Sequence, residues 1–195
     1  MIIGIPKEIK NQENRVGMNP SGVLSLVAAG HHVLVEQGAG SGSGLTDEKY
    51  REAGAEIVAD PTLIYEKSKL ILKVKEPQPD ELAFLQPDQI LFAYLHLAAD
   101  KGLTEQLLER KIIGLAYEMV QDERGTLPLL IPMSEVAGRM SVQMAAFYLG
   151  KPHGGRGVLL SGVPGIEPAT VVILGGGTAG SNAAKAAAGT GARVF

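Results

Sequence analysis

The sequence contains no cysteine and no tryptophan, and it has only four phenylalanines and five tyrosines. Without cysteine the protein cannot form disulfide bonds or bind a metal through thiolates. So few aromatic side chains argue against a stacking platform for single-stranded nucleic acid. The formal net charge of −3 provides no basic surface for nucleic acid either. We therefore expect no nucleic-acid partner, and the lack of cysteine is consistent with a reducing cytoplasm.

Long apolar segments are missing as well. No run of 18 apolar residues is present, so the sequence predicts no transmembrane helix and no membrane partner. The N-terminal Met1-Ile-Ile-Gly-Ile-Pro-Lys lacks the basic head and long apolar core of a signal peptide. No His-x-x-His or paired-carboxylate spacing occurs, and we predict no metal site.

Glycine, in contrast, is abundant, with 25 residues in 195. Its most informative cluster follows the apolar run that begins at Val171, where Gly175, Gly177 and Gly180 fit the pattern G-x-G-x-x-G. The first glycine allows a tight turn, the second a close approach of backbone to a pyrophosphate, and the third close packing of helix on strand. An apolar strand before and an alanine-rich helix after the motif favour a nucleotide site over a turn without a ligand.

The nucleotide-binding unit is expected to continue beyond this motif. Residues 191–195, Gly-Ala-Arg-Val-Phe, resemble the first residues of its second strand. The acidic residue that holds the ribose normally follows the glycines by roughly 20 residues. We therefore expect the chain to be the N-terminal part of a longer protein.

Short apolar strands alternate with helical segments along the rest of the chain, which predicts an α/β fold with an open parallel sheet, Rossmann-like or flavodoxin-like. Asn19, Thr46, Asp60 and Asp100 are candidate N-caps of its helices. We expect a substrate domain over residues 1–130, a connecting helix over 131–150, and the start of a Rossmann NAD-binding domain over 151–195.

Three cationic or titratable residues follow strands of the first domain. Arg15 comes after the first strand, Lys75 ends the fourth, and His96 ends the fifth. Ligands of open α/β sheets bind at the carboxyl ends of the strands, so these side chains are expected to converge. A guanidinium, an ammonium and an imidazole suit a small carboxylate substrate and a proton transfer. Alternatively, Arg15, Lys75 and its neighbour Lys73 are surface charges and His96 is a hydrogen-bonded core histidine.

Several longer motifs are spread along the whole chain. They are Pro6-Lys-Glu-Ile, Asn14-Arg-Val16, Val74-Lys-Glu-Pro77, Tyr94-Leu-His-Leu-Ala-Ala-Asp100, Pro132-Met-Ser-Glu-Val-Ala-Gly-Arg-Met140 and Gly154-Gly-Arg-Gly-Val158. Together they resemble the alanine dehydrogenase/pyridine nucleotide transhydrogenase family. The resemblance implies NAD-dependent, reversible oxidative deamination of L-alanine to pyruvate and ammonia.

The same resemblance implies roles for individual residues. Arg15 and Lys75 would hold the substrate carboxylate and carbonyl oxygen, His96 would act as acid and base, and Ser134 would touch NAD at the domain junction. It also implies a cytoplasmic homohexamer, for which we expect contacts through the helix over residues 133–149. The residues placed around the pyrophosphate are Gly175, Gly177, Thr178, Ala179 and Gly180.

Three other functions are compatible with these patterns. The nucleotide-binding subunit of a proton-translocating transhydrogenase shares the fold and opening motif but needs no amino-acid site. A lysine- or saccharopine-type dehydrogenase is a weaker alternative. A non-catalytic NADH-binding sensor module would bind the nucleotide and turn over no 2-oxo acid.

Overall fold

The computed structural model describes all 195 residues, and its internal contacts divide the chain into Met1–Val120 and Gln121–Phe195. We call these unit 1 and unit 2. Unit 1 contains one sheet of six parallel strands, in the order β3-β2-β1-β4-β5-β6. The strands are β1 (Ile2–Ile5), β2 (His32–Glu36), β3 (Glu56–Val58), β4 (Leu70–Lys75), β5 (Ile90–Tyr94) and β6 (Ile113–Ala116).

The helices of unit 1 begin largely where local sequence predicts. Asn19, Asp60 and Asp100 each accept a backbone N–H of the first helical turn, which confirms three predicted caps. Thr46 occupies the N-cap position, but its side chain makes no capping hydrogen bond. The helices are α1 (Pro20–Ala28), α2 (Asp47–Glu52), α3 (Pro61–Lys67), α4 (Pro79–Leu82) and α5 (Lys101–Glu109).

Neighbouring residues of each strand point to opposite faces of the sheet. Both faces are covered over the central strands, whereas the edge strand β6 is largely exposed. On one face, Ile3 and Val33 pack with Tyr50 of α2. On the other face, Ile71 and Leu91 pack in a core that includes residues of α3 and α5. A parallel sheet buried on both faces explains why its strands are nearly continuous apolar runs.

The strand order is the Rossmann order rather than the flavodoxin-like one, and the α/β prediction is confirmed. The order in which strands are added to the sheet reverses at β1 and β4, which lie side by side and parallel although two strands separate them in sequence. The crevice beyond the carboxyl ends of β1 and β4 is therefore the topological switch point. The residues that follow Ile5, and Lys75 at the end of β4, are placed at its rim.

Unit 2 consists of α6 (Ile131–Leu149), β7 (Thr170–Val171), α7 (Thr178–Gly189) and β8 (Arg193–Val194). The two strands pair in parallel, and α6 packs against α7. The regular part of β7 is shorter than the four-residue apolar run predicts, and Leu174 is 96% exposed. No helix in the structure is long and apolar enough to cross a membrane.

Candidate active site

An irregular loop follows β1 and carries Arg15 over the switch point. Its start is held by the backbone N–H of Lys7, which donates to Glu36 Oε2 at 2.8 Å. Farther along, the Oγ of Ser43 donates to the carbonyl of Asn14 at 2.8 Å. The hydroxyl of Tyr50 donates to the carbonyl of Met18 at 2.7 Å. These tertiary hydrogen bonds order a loop that has no secondary structure of its own.

The Arg15 guanidinium is oriented by a neighbour in the same loop. Its Nε donates to Glu13 Oε1 at 2.8 Å, and its Nη2 donates to Glu13 Oε2 at 2.6 Å. The hydrogen bonds from Arg15 lower the pKa of Glu13 to about 2, and the same contacts raise the pKa of Arg15. The side chain of Arg15 is 42% exposed, so the guanidinium is fixed by one carboxylate and still reaches solvent.

Lys75 and Tyr94 are paired neighbours on β4 and β5. The ammonium of Lys75 has no ion-pair partner, in contrast to Lys10, which is paired with Glu76. Burial raises the pKa of Glu76, but the hydrogen bonds from Lys10 and from the backbone, together with the charges of Lys10 and Lys75, outweigh it and leave that pKa lowered. Lys75 thus presents a half-buried positive charge at the rim of the crevice.

His96 lies one residue past Leu95, and its ring stacks on Tyr94 with centroids 6.2 Å apart. Its backbone is left-handed, with φ +49°, a conformation that few residues other than glycine adopt. Glu118 stabilises this turn, because its Oε1 accepts the N–H groups of Leu95 at 3.1 Å and of His96 at 2.7 Å. The exposed imidazole is therefore held by its backbone and not buried in the core.

Tyr94 connects the three predicted residues of unit 1. It is paired with Lys75 across the sheet and stacks on His96. Burial raises the pKa of the Tyr94 hydroxyl, and the positive charge of Arg15 acts in the opposite direction. The structure therefore gathers Arg15, Lys75 and His96 around one tyrosine at the carboxyl ends of the strands.

Beneath this surface lies a buried ionic cluster that the sequence patterns do not predict. Lys73 is 0% exposed, and its Nζ lies 3.2 Å from Glu8 Oε2 and 2.6 Å from Glu81 Oε1. The hydroxyl of Tyr65 donates to Glu81 Oε1 at 2.8 Å. Lys73 is thus a structural cation in the core, and its interpretation as a surface charge is wrong.

The glycine motif lies in unit 2 and is built from backbone. Gly175 has φ +103°, which a residue with a side chain rarely adopts. A Cβ at Gly180 would lie 1.9 Å from the carbonyl oxygen of Gly175, so the helix can pack here only with glycine. A Cβ at Gly177 would meet nothing within 4 Å. This surface is open to a ligand.

Helix α7 begins at Thr178, directly after Gly177, and no side chain caps it. Its first-turn N–H groups, those of Thr178 and Ala179, therefore face the open side of the turn with the positive end of the helix dipole. Ser134 lies elsewhere in unit 2, in the first turn of α6, and is half-buried. The N-terminus of α7 with its glycine turn suits the phosphates of a nucleotide.

Comparison with known proteins agrees with this geometry. The profile of "Alanine dehydrogenase/PNT, N-terminal domain" matches residues 4–137, and that of "Alanine dehydrogenase/PNT, C-terminal domain" matches residues 141–195. The chain belongs to the alanine dehydrogenase/PNT family. Its Arg15, Lys75 and His96 lie within the first match and its glycine motif within the second.

Two curated relatives are alanine dehydrogenases. The chain is 58% identical to that of Methanococcus maripaludis and 54% identical to that of Bacillus subtilis, in both cases over 100% of this chain. It spans about half of their length, 52% and 51% respectively.

Two solved structures show the same arrangement of elements. One, an L-alanine dehydrogenase, is 53% identical, with a TM-score of 0.91 over 100% of this chain and 54% of its own length. A transhydrogenase from Sinorhizobium meliloti is 24% identical, with a TM-score of 0.82 over 100% of this chain and 57% of its own length, and shares the fold.

Sequence patterns alone miss the residues that orient the site. Glu13, Glu118 and Glu8 act through contacts with backbone or with another side chain, and only Glu13 has its partner nearby in sequence. One signal was available for the buried cluster. A lysine inside the apolar strand Leu70–Lys75 requires buried partners, since an unpaired ammonium in a core is costly.

Proposed function

We propose that the protein catalyses the NAD-dependent, reversible oxidative deamination of L-alanine to pyruvate and ammonia. The observation that carries this proposal is the 58% identity to an alanine dehydrogenase over the whole chain. The gathering of Arg15, Lys75 and His96 around Tyr94 supports it independently, because that set suits a small 2-oxo or 2-amino acid.

Arg15 binds the substrate carboxylate in this proposal. Glu13 occupies part of its guanidinium and holds it in one orientation, so little side-chain entropy is lost on binding. Lys75 supplies an ammonium that forms no ion pair within unit 1, and it holds the carbonyl oxygen of pyruvate. Together they fix the reacting carbon, and such positioning can lower a barrier by several kcal/mol.

His96 is the proton carrier of the proposed reaction. It assists deprotonation and the addition of water at the imine carbon during deamination, and it returns the proton in the reverse direction. An imidazole suits this role because it can both accept and donate a proton, and the ring of His96 is exposed. The left-handed turn held by Glu118 keeps the ring at the edge of the crevice.

NAD would accept the hydride from the substrate carbon, and the glycine turn of unit 2 fits its pyrophosphate. Gly175, Gly177 and Gly180 allow the backbone to come close, and Thr178 and Ala179 offer the first-turn N–H groups of α7. We also propose Ser134 as a cofactor contact, although the support for it is the family resemblance alone. The list of proposed NAD contacts is Ser134, Gly175, Gly177, Thr178, Ala179 and Gly180.

We further propose a homohexamer in the cytoplasm. Helix α6 carries a row of large apolar side chains that are roughly half exposed, namely Val136, Met140, Met144 and Phe147. Such a row is typical of a surface that another chain covers. Light scattering of the natural protein tests the hexamer, and cell fractionation tests the location.

The decisive experiment is NADH oxidation by the natural, full-length protein with ammonia and pyruvate, compared with glyoxylate and 2-oxoglutarate. We expect oxidation that is fastest with pyruvate and that requires ammonia. Oxidation of NADH by a second nicotinamide nucleotide, without any 2-oxo acid, would instead establish a transhydrogenase. NADH binding with no turnover of any of these compounds would indicate a sensor.

A further inference from the structure

Beyond Ile71, the backbone of β4 has no paired strand on the side of β1. β1 pairs with β4 only at Ile3↔Leu70 and Gly4↔Ile71, and the chain leaves the sheet after Ile5, which still pairs with Val35 of β2. β4 continues to Lys75 and also shifts register against β5 between Leu72 and Lys75. Backbone N–H groups on the vacated side need other acceptors, because an unpaired buried amide is costly.

The carboxylate of Glu8 supplies that acceptor. Its Oε1 accepts the N–H of Val74 at 2.6 Å and, more weakly, the N–H of Lys75 at 3.4 Å. Glu8 is 6% exposed, so these hydrogen bonds are shielded from water. A side chain from the loop that carries Arg15 thereby replaces the missing strand beside the backbone of Lys75.

Lys73 is the counter-ion of this carboxylate in the core. Burial raises the pKa of Glu8 above its ordinary value, and the nearby ammonium of Lys73 opposes that rise without cancelling it. Glu81 holds the other side of Lys73 and is fixed by Tyr65 and by the N–H of Gln78 at 2.7 Å. Glu81 accepts no hydrogen bond from the backbone of Val74 or Lys75. Both carboxylates therefore pair with Lys73, but only Glu8 also binds the backbone of β4.

We infer that Glu8 is a positioning residue for the substrate: its carboxylate fixes the backbone of Val74 and Lys75 and so sets the distance between the Lys75 ammonium and the Arg15 loop. The inference rests on the proposed function, which makes Lys75 and Arg15 the substrate-binding pair. Glu8 itself does not contact the substrate in this proposal.

Matched shortening of the two carboxylates tests the inference. Glu8→Asp and Glu81→Asp each keep the negative charge and remove one methylene, and both sites are equally buried. In the full-length protein we expect Glu8→Asp to raise KM for pyruvate about tenfold, with KM for NADH unchanged. Glu81→Asp should change KM for pyruvate less than about twofold, even if it lowers Tm as much.

Glu8→Gln provides a second variant, should Glu8→Asp fail to fold. The amide oxygen still reaches Val74 but is a weaker acceptor than a carboxylate, so we expect a rise of about threefold in KM for pyruvate. Equal rises in the Glu8 and Glu81 variants, or a rise in proportion to lost Tm, would overturn the inference. An unchanged KM in Glu8→Asp or Glu8→Gln would also overturn it.

Hydrogen exchange separates this inference from the proposed function. Mass spectrometry of the peptide that contains Val74 and Lys75 should show faster amide exchange in Glu8→Asp and not in Glu81→Asp. If the natural protein does not turn over pyruvate, the proposed function fails, and this exchange result still reports on the role of Glu8 at the backbone. Unchanged exchange would refute that role whatever the activity.

Discussion

The candidate sites of units 1 and 2 are built by opposite means. In unit 1 the candidate site is made of charged side chains, and each is oriented by another side chain or by a strand end, as Arg15 is by Glu13. In unit 2 the candidate site is made of backbone, and its defining residues are those that have no side chain, such as Gly175 and Gly180. Charged side chains can be selected for one substrate, whereas the N–H groups at a helix N-terminus suit the phosphate groups of many ligands.

This contrast predicts which kind of substitution harms each region. Removal of charge should damage unit 1 and leave nucleotide binding intact. Addition of a single carbon should damage the glycine turn of unit 2, whose defining residues carry no charge to remove.

His96→Ala should cause the largest loss. General acid–base catalysis contributes about 10²–10⁴-fold, so we expect kcat to fall by roughly 10³-fold while NADH still binds. Stopped-flow and steady-state rates with pyruvate measure the loss, and fluorescence measures NADH binding. His32→Ala is the control, because His32 is exposed at the opposite, amino end of a strand. Turnover near the native rate in His96→Ala would remove it from the reaction.

Arg15→Ala should raise KM for pyruvate by about 100-fold, since hydrogen bonds to charged groups contribute about 1.5–3 kcal/mol each. Affinity for NADH should not change. Arg51→Ala serves as the matched control, because Arg51 is an exposed arginine of unit 1 whose partner is Glu48. An unchanged KM for pyruvate in Arg15→Ala would exclude Arg15 from the site.

Gly180→Ala should weaken NADH binding by at least about tenfold, because a Cβ 1.9 Å from the Gly175 carbonyl forces the helix off the turn. KM for pyruvate at saturating NADH should change little. Gly189→Ala is the control at the other end of α7, where an added Cβ meets nothing within 4 Å. Equal NADH affinities in the two variants would show that close packing at Gly180 does not shape the site.

The Glu13–Arg15 pair should give the smallest effect, and it depends on pH. The folded-state pKa of Glu13 is about 2, below its ordinary value near 4.5, so the ionised form stabilises the folded protein. That contribution is present above pH 4.5 and is lost as pH falls toward 2. The stability difference between wild type and Glu13→Gln should therefore shrink over this range. Chemical denaturation at several pH values measures it, and a constant difference would contradict the assignment.

Local features of the fold could be predicted from the sequence. The caps at Asn19 and Asp60 depend on residues two or three positions away, and the structure confirms them. The α/β class follows from alternating apolar strands and helices, and it too is confirmed. The extent of β7 could not be predicted in the same way, because it depends on pairing with β8, which lies beyond α7 in the sequence.

The candidate site shows the same division. Arg15, Lys75 and His96 could be chosen because parallel strands bring their carboxyl ends to one edge. Burial of Lys73 could not, because Glu8 lies 65 residues away in sequence and meets it only after the sheet has formed. The position of Tyr94 at the centre of the site could not be predicted either, because it depends on the register of β5 against Lys75 of β4.

Titration of NADH by fluorescence into Arg15→Ala and Gly180→Ala, side by side with the wild-type protein, tests the contrast between the two units most directly. We expect Arg15→Ala to bind NADH with wild-type affinity and Gly180→Ala to bind it at least about tenfold more weakly. Weakened binding in Arg15→Ala together with wild-type binding in Gly180→Ala would contradict it.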